Sequence, residues 1–490
     1  MTRRAAALAA VVLLAAGCGG GGKKGGSVPE GASLAPKSSV AFISLNSDFS
    51  SDQWRQVQAL AARFPGTPQL VARLEKQLKG LDFDRDVKPA LGPEVDIVAL
   101  DPAGNDVVGL TKPDTTAKLK LLLRDTVSPE ETKPAVTQIG DWVAIADTQA
   151  QLDRFKTAAA NGKLADDGDF KHAFEKLDPE ASARWWVSGP FAQSALDRSL
   201  EGSGAPPRLT HDVGDLQAIL GSLKAEAEGV RVEVDGFIDP TPEPATFKPS
   251  LPDEVPAGAV LYVGATALDA PLRTVLALVG RSNPDFNAQL SQVQGVLGLS
   301  LSQDVYPLLK GESGLAVYPG RANIPPLLFV QKVADEQKAE SLLKRVGAIA
   351  QLAGGIKVDT VQLSGGKSMQ RLEFTNAGVT VFDGVAHGKL FVTNSIGFGG
   401  QMVAGTPARA LSDEPLYRSA RDAAGMPDHV AAFAYGDLKN GLPYAFRLAQ
   451  RTGSKVPPEA FANVKPLHGA LAYLVKDGDA LRISGFAAIK

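Results

Sequence analysis

Several stretches of the chain hold residue types whose spacing could do chemistry. LSGGKS at 363–368 ends as a phosphate-cradling loop does, with a lysine and a hydroxyl after paired glycines. Such a loop needs a glycine at 361 and a helix behind it, so that backbone N–H groups converge on the anion. Val361 stands there and the strand-like MQRLEF follows, so the stretch predicts a hairpin turn. DFDRD at 82–86 spaces Asp82, Asp84 and Asp86 as a calcium loop begins. That loop needs Gly at its sixth position for the bend and Glu at its twelfth for ligation. Val87 and Pro93 stand there. Of the five histidines (His172, His211, His387, His429 and His468) no two lie three or four residues apart, so no helix presents a metal pair. There is no Gly-x-Ser-x-Gly elbow either. Neither a metal nor a cofactor is expected, and no catalytic residue is assigned.

Ser341 and Lys344 in SLLK have the Ser-x-x-Lys spacing of penicillin-binding enzymes, and RTG at 451–453 echoes their Lys-Thr-Gly strand. Yet RTG runs into a proline-rich turn rather than opening a strand, so a solvated helix face is expected. Trp185-Trp186 falls in a predicted strand, where one ring must point to each face.

The one cysteine, Cys18, lies in LLAAGCGGGG. Arg3 and Arg4 precede an uncharged apolar run at 5–16, the pattern of an export signal. The run is too short to span a bilayer, which takes about 20 apolar residues. Gly17-Cys18 resembles the lipobox of bacterial lipoproteins, with Ala15 where that family prefers Leu. The resemblance implies that Cys18 receives a diacylglycerol through its sulfur and becomes the mature N-terminus. Two acyl chains anchor stably where one holds only marginally. Residues 1–18 are then signal and lipobox. Residues 19–36, rich in Gly, Lys, Ser and Pro, predict a flexible tether. The expected location is extracytoplasmic, lipid-anchored to the cell membrane. An acylated Cys18 leaves no free thiol for a disulfide, a nucleophile or a zinc site.

A net charge of −3 with mixed signs offers no nucleic-acid surface. The remaining chain is too long for one ordinary core, and it reads as if written twice. SVAFISLN at 39–46 resembles AVLYVGAT at 259–266, LDFDRDVKPALGPEVDIVAL at 81–100 matches LSLSQDVYPLLKGESGLAVY at 299–318, and VEVDGF at 232–237 pairs with LRISGF at 481–486. Apolar alternation broken by glycines predicts extra strands near 356–384 of the second half. Prolines at 241–256 predict an extended linker. The expected fold is α+β: two tandem similar domains, 37–240 and 257–490, each a mostly antiparallel sheet with packed helices.

The opening strand, the DVKPALG turn before a strand and the closing GF strand resemble an uncharacterised family of exported, lipid-anchored bacterial proteins with a duplicated domain of unknown function. That resemblance brings no catalytic residues. The function expected is that of a membrane-tethered, non-enzymatic cell-envelope protein that binds a partner or ligand. Its partners would be the membrane through its anchor and an envelope protein or apolar ligand, with no nucleic acid. Two alternatives stay open. One is an envelope hydrolase with a site built from scattered residues. The other is a carrier of an apolar ligand such as lipid, in a groove between helices and sheet lined from residues 272–299.

Overall fold

The strand AFISLN alternates so that Phe42 and Leu45 fall on opposite sides, and both are buried. A strand covered on both faces sits inside a sheet with helices on each side. The structure is a computed structural model and describes residues 28–77, 81–126, 133–201, 214–352, 355–363, 366–405 and 407–490. Cys18 and the signal segment lie outside the described residues.

The first half runs β1 (Ala41–Asn46), α1 (Asp52–Ala61), α2 (Thr67–Gln77), α3 (Lys88–Leu91), β2 (Glu94–Ala99), β3 (Val107–Thr111), α4 (Thr116–Thr126), β4 (Ala135–Ile139), β5 (Trp142–Ala146), α5 (Gln149–Ala160), α6 (Gly168–Phe174), β6 (Ala183–Ser188), α7 (Gly189–Glu201), β7 (Asp215–Glu226) and β8 (Gly229–Asp239). The second half runs β9 (Leu261–Thr266), α8 (Asp269–Ser282), α9 (Pro284–Leu297), β10 (Glu312–Val317), β11 (Leu327–Lys332), α10 (Glu336–Leu352), β12 (Ile356–Gln362), β13 (Ser368–Phe374), β14 (Val379–Ala386), β15 (Lys389–Thr393), α11 (Ile396–Ala404), α12 (Pro415–Ala424), β16 (Ala432–Asp437), α13 (Leu438–Arg451), α14 (Pro458–Asn463), β17 (Leu467–Asp477) and β18 (Ala480–Ile489). The fold is α+β.

Every strand pairing is antiparallel. The first half has the spatial order β4-β5-β3-β2-β1-β6-β7-β8. The second has β12-β13-β14-β15-β11-β10-β9-β16-β17-β18. β8 pairs with β18 from Gly229↔Ala488 to Phe237↔Ala480, and this seam joins all strands into one 18-stranded sheet. Each half builds hydrophobic clusters of its own, and a small one of Leu60, Ala225 and Ile489 spans both. On one face of the first half, Phe155 of α5 and Phe170 and Phe174 of α6 cluster with Phe42 and Leu220 of the sheet. The same face of the second half holds Tyr262, Phe391, Phe433 and Tyr435 beneath α11 and α12. The opposite face carries smaller clusters, under α1 and α4 in the first half and under α10 in the second.

Two sequence boundaries need correction. The expected tether does not run free to residue 36. Glu30–Ser33 form a 3-10 turn in which Ala32 is fully buried, as is Ala35 just after it; the Gly31 N–H donates to Glu94 Oε1 at 3.1 Å, and Pro36 bridges to Lys163. The proline-rich linker packs as well. Phe247 bridges to Val430, and Leu251 and Val255 enter the core of the second half. In both stretches a few small or apolar side chains among the polar ones suffice to fasten an otherwise featureless segment.

Candidate cleft between helices and sheet

α1 owes its position to two side chains. The Trp54 indole N–H donates to the Asn46 carbonyl at 2.7 Å, and its ring packs at 5.1 Å from Phe49. Gln53 Oε1 accepts from the Ala225 N–H at 3.0 Å and from the Ser182 hydroxyl at 3.0 Å, while its amide donates to the Ala225 carbonyl at 3.1 Å. One amide thus clips the helix start to the end of β7 and satisfies buried backbone groups. Arg63, past the helix end, donates to the carbonyls of Ala227 and Ile489 and ties it to both halves.

So held, α1 and α2 enclose a cleft of 1310 Å³. Its floor is Leu45, Ala183 and Leu223, directly opposed residues of β1, β6 and β7, with Ala225 and Val230 beside them. Its helix wall is Trp54, Val57, Leu60 and Phe64, and α14 of the second half closes the far side with Pro457, Ala460 and Asn463. Gly66 allows that closure, because a side chain there would meet Asn463 Oδ1 at 2.5 Å. α2 stands over the cleft with no described residue buried, and Leu70 and Val71 are 42% and 44% exposed. Small-molecule pockets run about 300–1,000 Å³, so this cleft exceeds what one compact ligand needs. Its polar groups stand at intervals in an apolar lining: Asn46, Thr67, Gln69, Arg73, Ser182 and Glu459. The Ser182 hydroxyl is spent on Gln53.

The apolar stripe Trp54, Val57, Leu60, Ala61, Phe64 was legible as one helix face. Its membership of a cleft was not, since a stripe at helical spacing looks alike whether it meets a core or a cavity. The groove expected from residues 272–299 is not where this cleft lies.

The chemical candidates resolve into structure. LSGGKS lies between β12 and β13, with Ser364 and Gly365 outside the described residues; Gln362 pairs with Ser368, and Lys367 Nζ donates to the Val403 carbonyl at 2.9 Å. In DFDRD, Asp82 caps a π-helical turn by accepting from the Arg85 N–H, and Asp86 pairs with Arg85, which lowers its pKa to about 2. Ser341 accepts from Arg345, and Lys344 pairs with Glu340, all on α10. Trp186 packs edge-on against Phe170 at 5.5 Å, while Trp185 lies on the other face over Gly221. Among the described residues no group of three or more His, Cys, Asp or Glu side chains is placed to hold a metal ion, and no helix is long and apolar enough to cross a membrane.

Ionisable groups buried elsewhere serve the seams. Glu312 accepts from the Ser250 and Leu251 N–H groups at 2.9 Å each, as Glu94 does from Gly31. Burial raises the Glu254 carboxyl, but Lys332 and Lys389 outweigh it and hold the pKa below its usual value. Burial, with Glu94 alongside, pushes Asp96 well above the usual carboxylate range.

No curated protein matches the chain. Solved structures similar to it are three crystal forms of TP0453. Form IV has a TM-score of 0.25 at 10% identity, covering 50% of this chain and 94% of that one. Form I has 0.24 at 9%, covering 43% and 79%. Form III has 0.22 at 11%, covering 51% and 95%. A family model described as "Protein of unknown function (DUF3352)" matches residues 122–471, and the chain belongs to that family.

Proposed function

We propose that this is a membrane-tethered, non-enzymatic lipoprotein of the cell envelope, anchored through Cys18, that holds an apolar ligand bearing acyl chains. The observation that carries the reading is the cleft of 1310 Å³ with an aliphatic and aromatic lining. Burying an acyl chain there gains about 0.8 kcal/mol per methylene. The test is native mass spectrometry of the purified full chain, with and without added cis-parinaric acid, an 18-carbon fluorescent fatty acid. Wild type should bind the probe. Leu223→Asp, which places a charge on the cleft floor, should weaken binding at the cleft by at least about tenfold. A wild-type protein that takes up no acyl probe ends this reading.

The same proposal includes an origin by internal duplication, with two similar units meeting at a shared seam. What supports it is the strand order. Read outward from the seam, the second half runs as the first does and then adds β12 and β13. Val234 and Ile483, aligned in VEVDGF and LRISGF, face each other across the seam. Opposed equivalent residues are the mark of a two-fold contact.

A further inference from the structure

The polar side chains that line the cleft differ in what they have left to offer. Asn46 accepts from the Asp48 N–H at 3.0 Å and donates to the Ser51 hydroxyl at 3.4 Å. Thr67 donates to the Ala61 carbonyl. The Gln69 amide donates to the carbonyls of Pro65 and Gly66 at 2.9 and 3.2 Å. With Ser182 held by Gln53, these four serve the fold. Arg73 and Glu459 do not. Both are exposed, and among the described residues neither side chain has a hydrogen-bond or ion-pair partner.

These two are the only charges in the lining, and they stand on opposite walls. Arg73 belongs to α2 of the first half and Glu459 to α14 of the second. The walls meet where Gly66 abuts Asn463. At 1.5 Å per residue, Arg73 lies about 10 Å along α2 from that junction and Glu459 about 6 Å along α14. One mouth therefore carries a guanidinium on one lip and a carboxylate on the other. A net-anionic headgroup entering it is drawn to Arg73 and repelled by Glu459, and the two effects offset each other. A headgroup that bears both signs satisfies both lips. Phosphate suits the forked donors of a guanidinium, and an ammonium suits a carboxylate. The size of the cleft agrees: 1310 Å³ exceeds the 300–1,000 Å³ or so that holds one compact ligand, as two chains require.

We propose that the ligand of the cleft is a two-chain phospholipid with a zwitterionic, ammonium-bearing headgroup. Its phosphate lies at Arg73, its ammonium at Glu459, and its chains over the floor of Leu45, Ala183 and Leu223. The inference rests on the acyl-ligand reading of the cleft and adds the class of headgroup. Exposed charges contribute little to affinity but do discriminate between partners. The apolar lining thus retains the lipid, and Arg73 and Glu459 select it.

The experiment offers the purified full chain an equimolar mixture of phosphatidylethanolamine and phosphatidylglycerol with identical palmitoyl and oleoyl chains, and reads the retained lipid by native mass spectrometry. Wild type should retain the ethanolamine lipid at least threefold over the glycerol lipid, and Leu223→Asp should retain neither. Glu459→Lys puts two cations at the mouth and should invert the preference. The double variant Arg73→Glu/Glu459→Lys again has one charge of each sign and should recover the wild-type preference. Both positions are exposed, so these variants keep the fold. Equal retention by wild type, a wild-type preference for the glycerol lipid, or a preference unchanged in Glu459→Lys or in Leu223→Asp overturns the headgroup inference. So does a double variant that stays inverted. A wild type that binds cis-parinaric acid but neither phospholipid removes the inference and leaves the cleft reading standing. A wild type that binds no acyl compound ends both.

Discussion

Asp383 is a carboxyl almost wholly withdrawn from water. Burial raises its pKa to about 7, and its Oδ1 has no partner. Directly across the ladder stands Gln370, whose Oε1 is also buried and unpartnered. Two bare acceptors side by side favour the protonated acid, which can donate. The folded pKa lies above the unfolded value near 3.8, so the folded state binds the extra proton. Stability from this group is full below about pH 4, falls between about pH 4 and pH 7, and is then level. The window corresponds to roughly 4 kcal/mol at most. Asp383→Asn should abolish that component, so that the variant melts higher than wild type at pH 8 and similarly at pH 4; thermal melts across the range check this. Cys18 belongs to the same scale. Cys18→Ala should move the protein from the detergent phase to the aqueous phase or stall its processing, and an Ala variant cleaved yet equally membrane-bound would sink the anchor proposal.

Among the elements, the short turn at Glu30–Ser33 fastens the first described residues to the sheet. Gly31 sits so close to the buried Asp96 that a Cβ would lie 1.7 Å from its Oδ2. Gly31→Ala must push the turn off Glu94 or displace a fully buried carboxyl. Overpacking of this kind costs about 1–3 kcal/mol. A lowered midpoint in urea, with faster proteolysis near residue 30, is the expected outcome; an unchanged midpoint would mean the turn yields freely. The paired turn at Leu251–Asp253 anchors on Glu312 in the same manner. These contacts connect residues about sixty positions apart, and no local pattern announces them.

For the whole molecule the decisive feature is the β8–β18 seam. Arg482 crosses it to Asp235, donating at 2.7 and 2.9 Å to a carboxylate only 2% exposed. The Asp235 carboxylate raises the Arg482 pKa further above its usual value. Arg482→Met strands that charge inside the sheet, and breaking a buried pair costs about 3–5 kcal/mol. Because the cost falls on the joint rather than on either set of clusters, calorimetry of the variant should show broadened or divided unfolding where wild type shows one transition. A single sharp transition at the wild-type temperature would mean that the halves are coupled elsewhere.

What the sequence determined by itself is what repeats at short range. Alternation marked β1 and β9, helical spacing marked α1, and Asp477-Gly478 marked the closing hairpin, where Asp477 pairs with Ala480 and Gly478 takes φ +61°. Those signals also ruled LSGGKS into a turn and set α+β as the class. Tertiary structure alone decided that the halves share one sheet. An edge strand such as β8 reads the same whether its outer backbone groups meet water or another strand. It alone decided that the stripe on α1 faces a cleft, since volume left unfilled is a property of what fails to arrive from elsewhere in the chain. And it alone decided that Val263 and Leu315 stay exposed while Leu45, Val95 and Ile97 are buried. Similar strands differ there because α1 and α4 pack down on the one face, while among the described residues of α8 and α9 only Gly280 is buried.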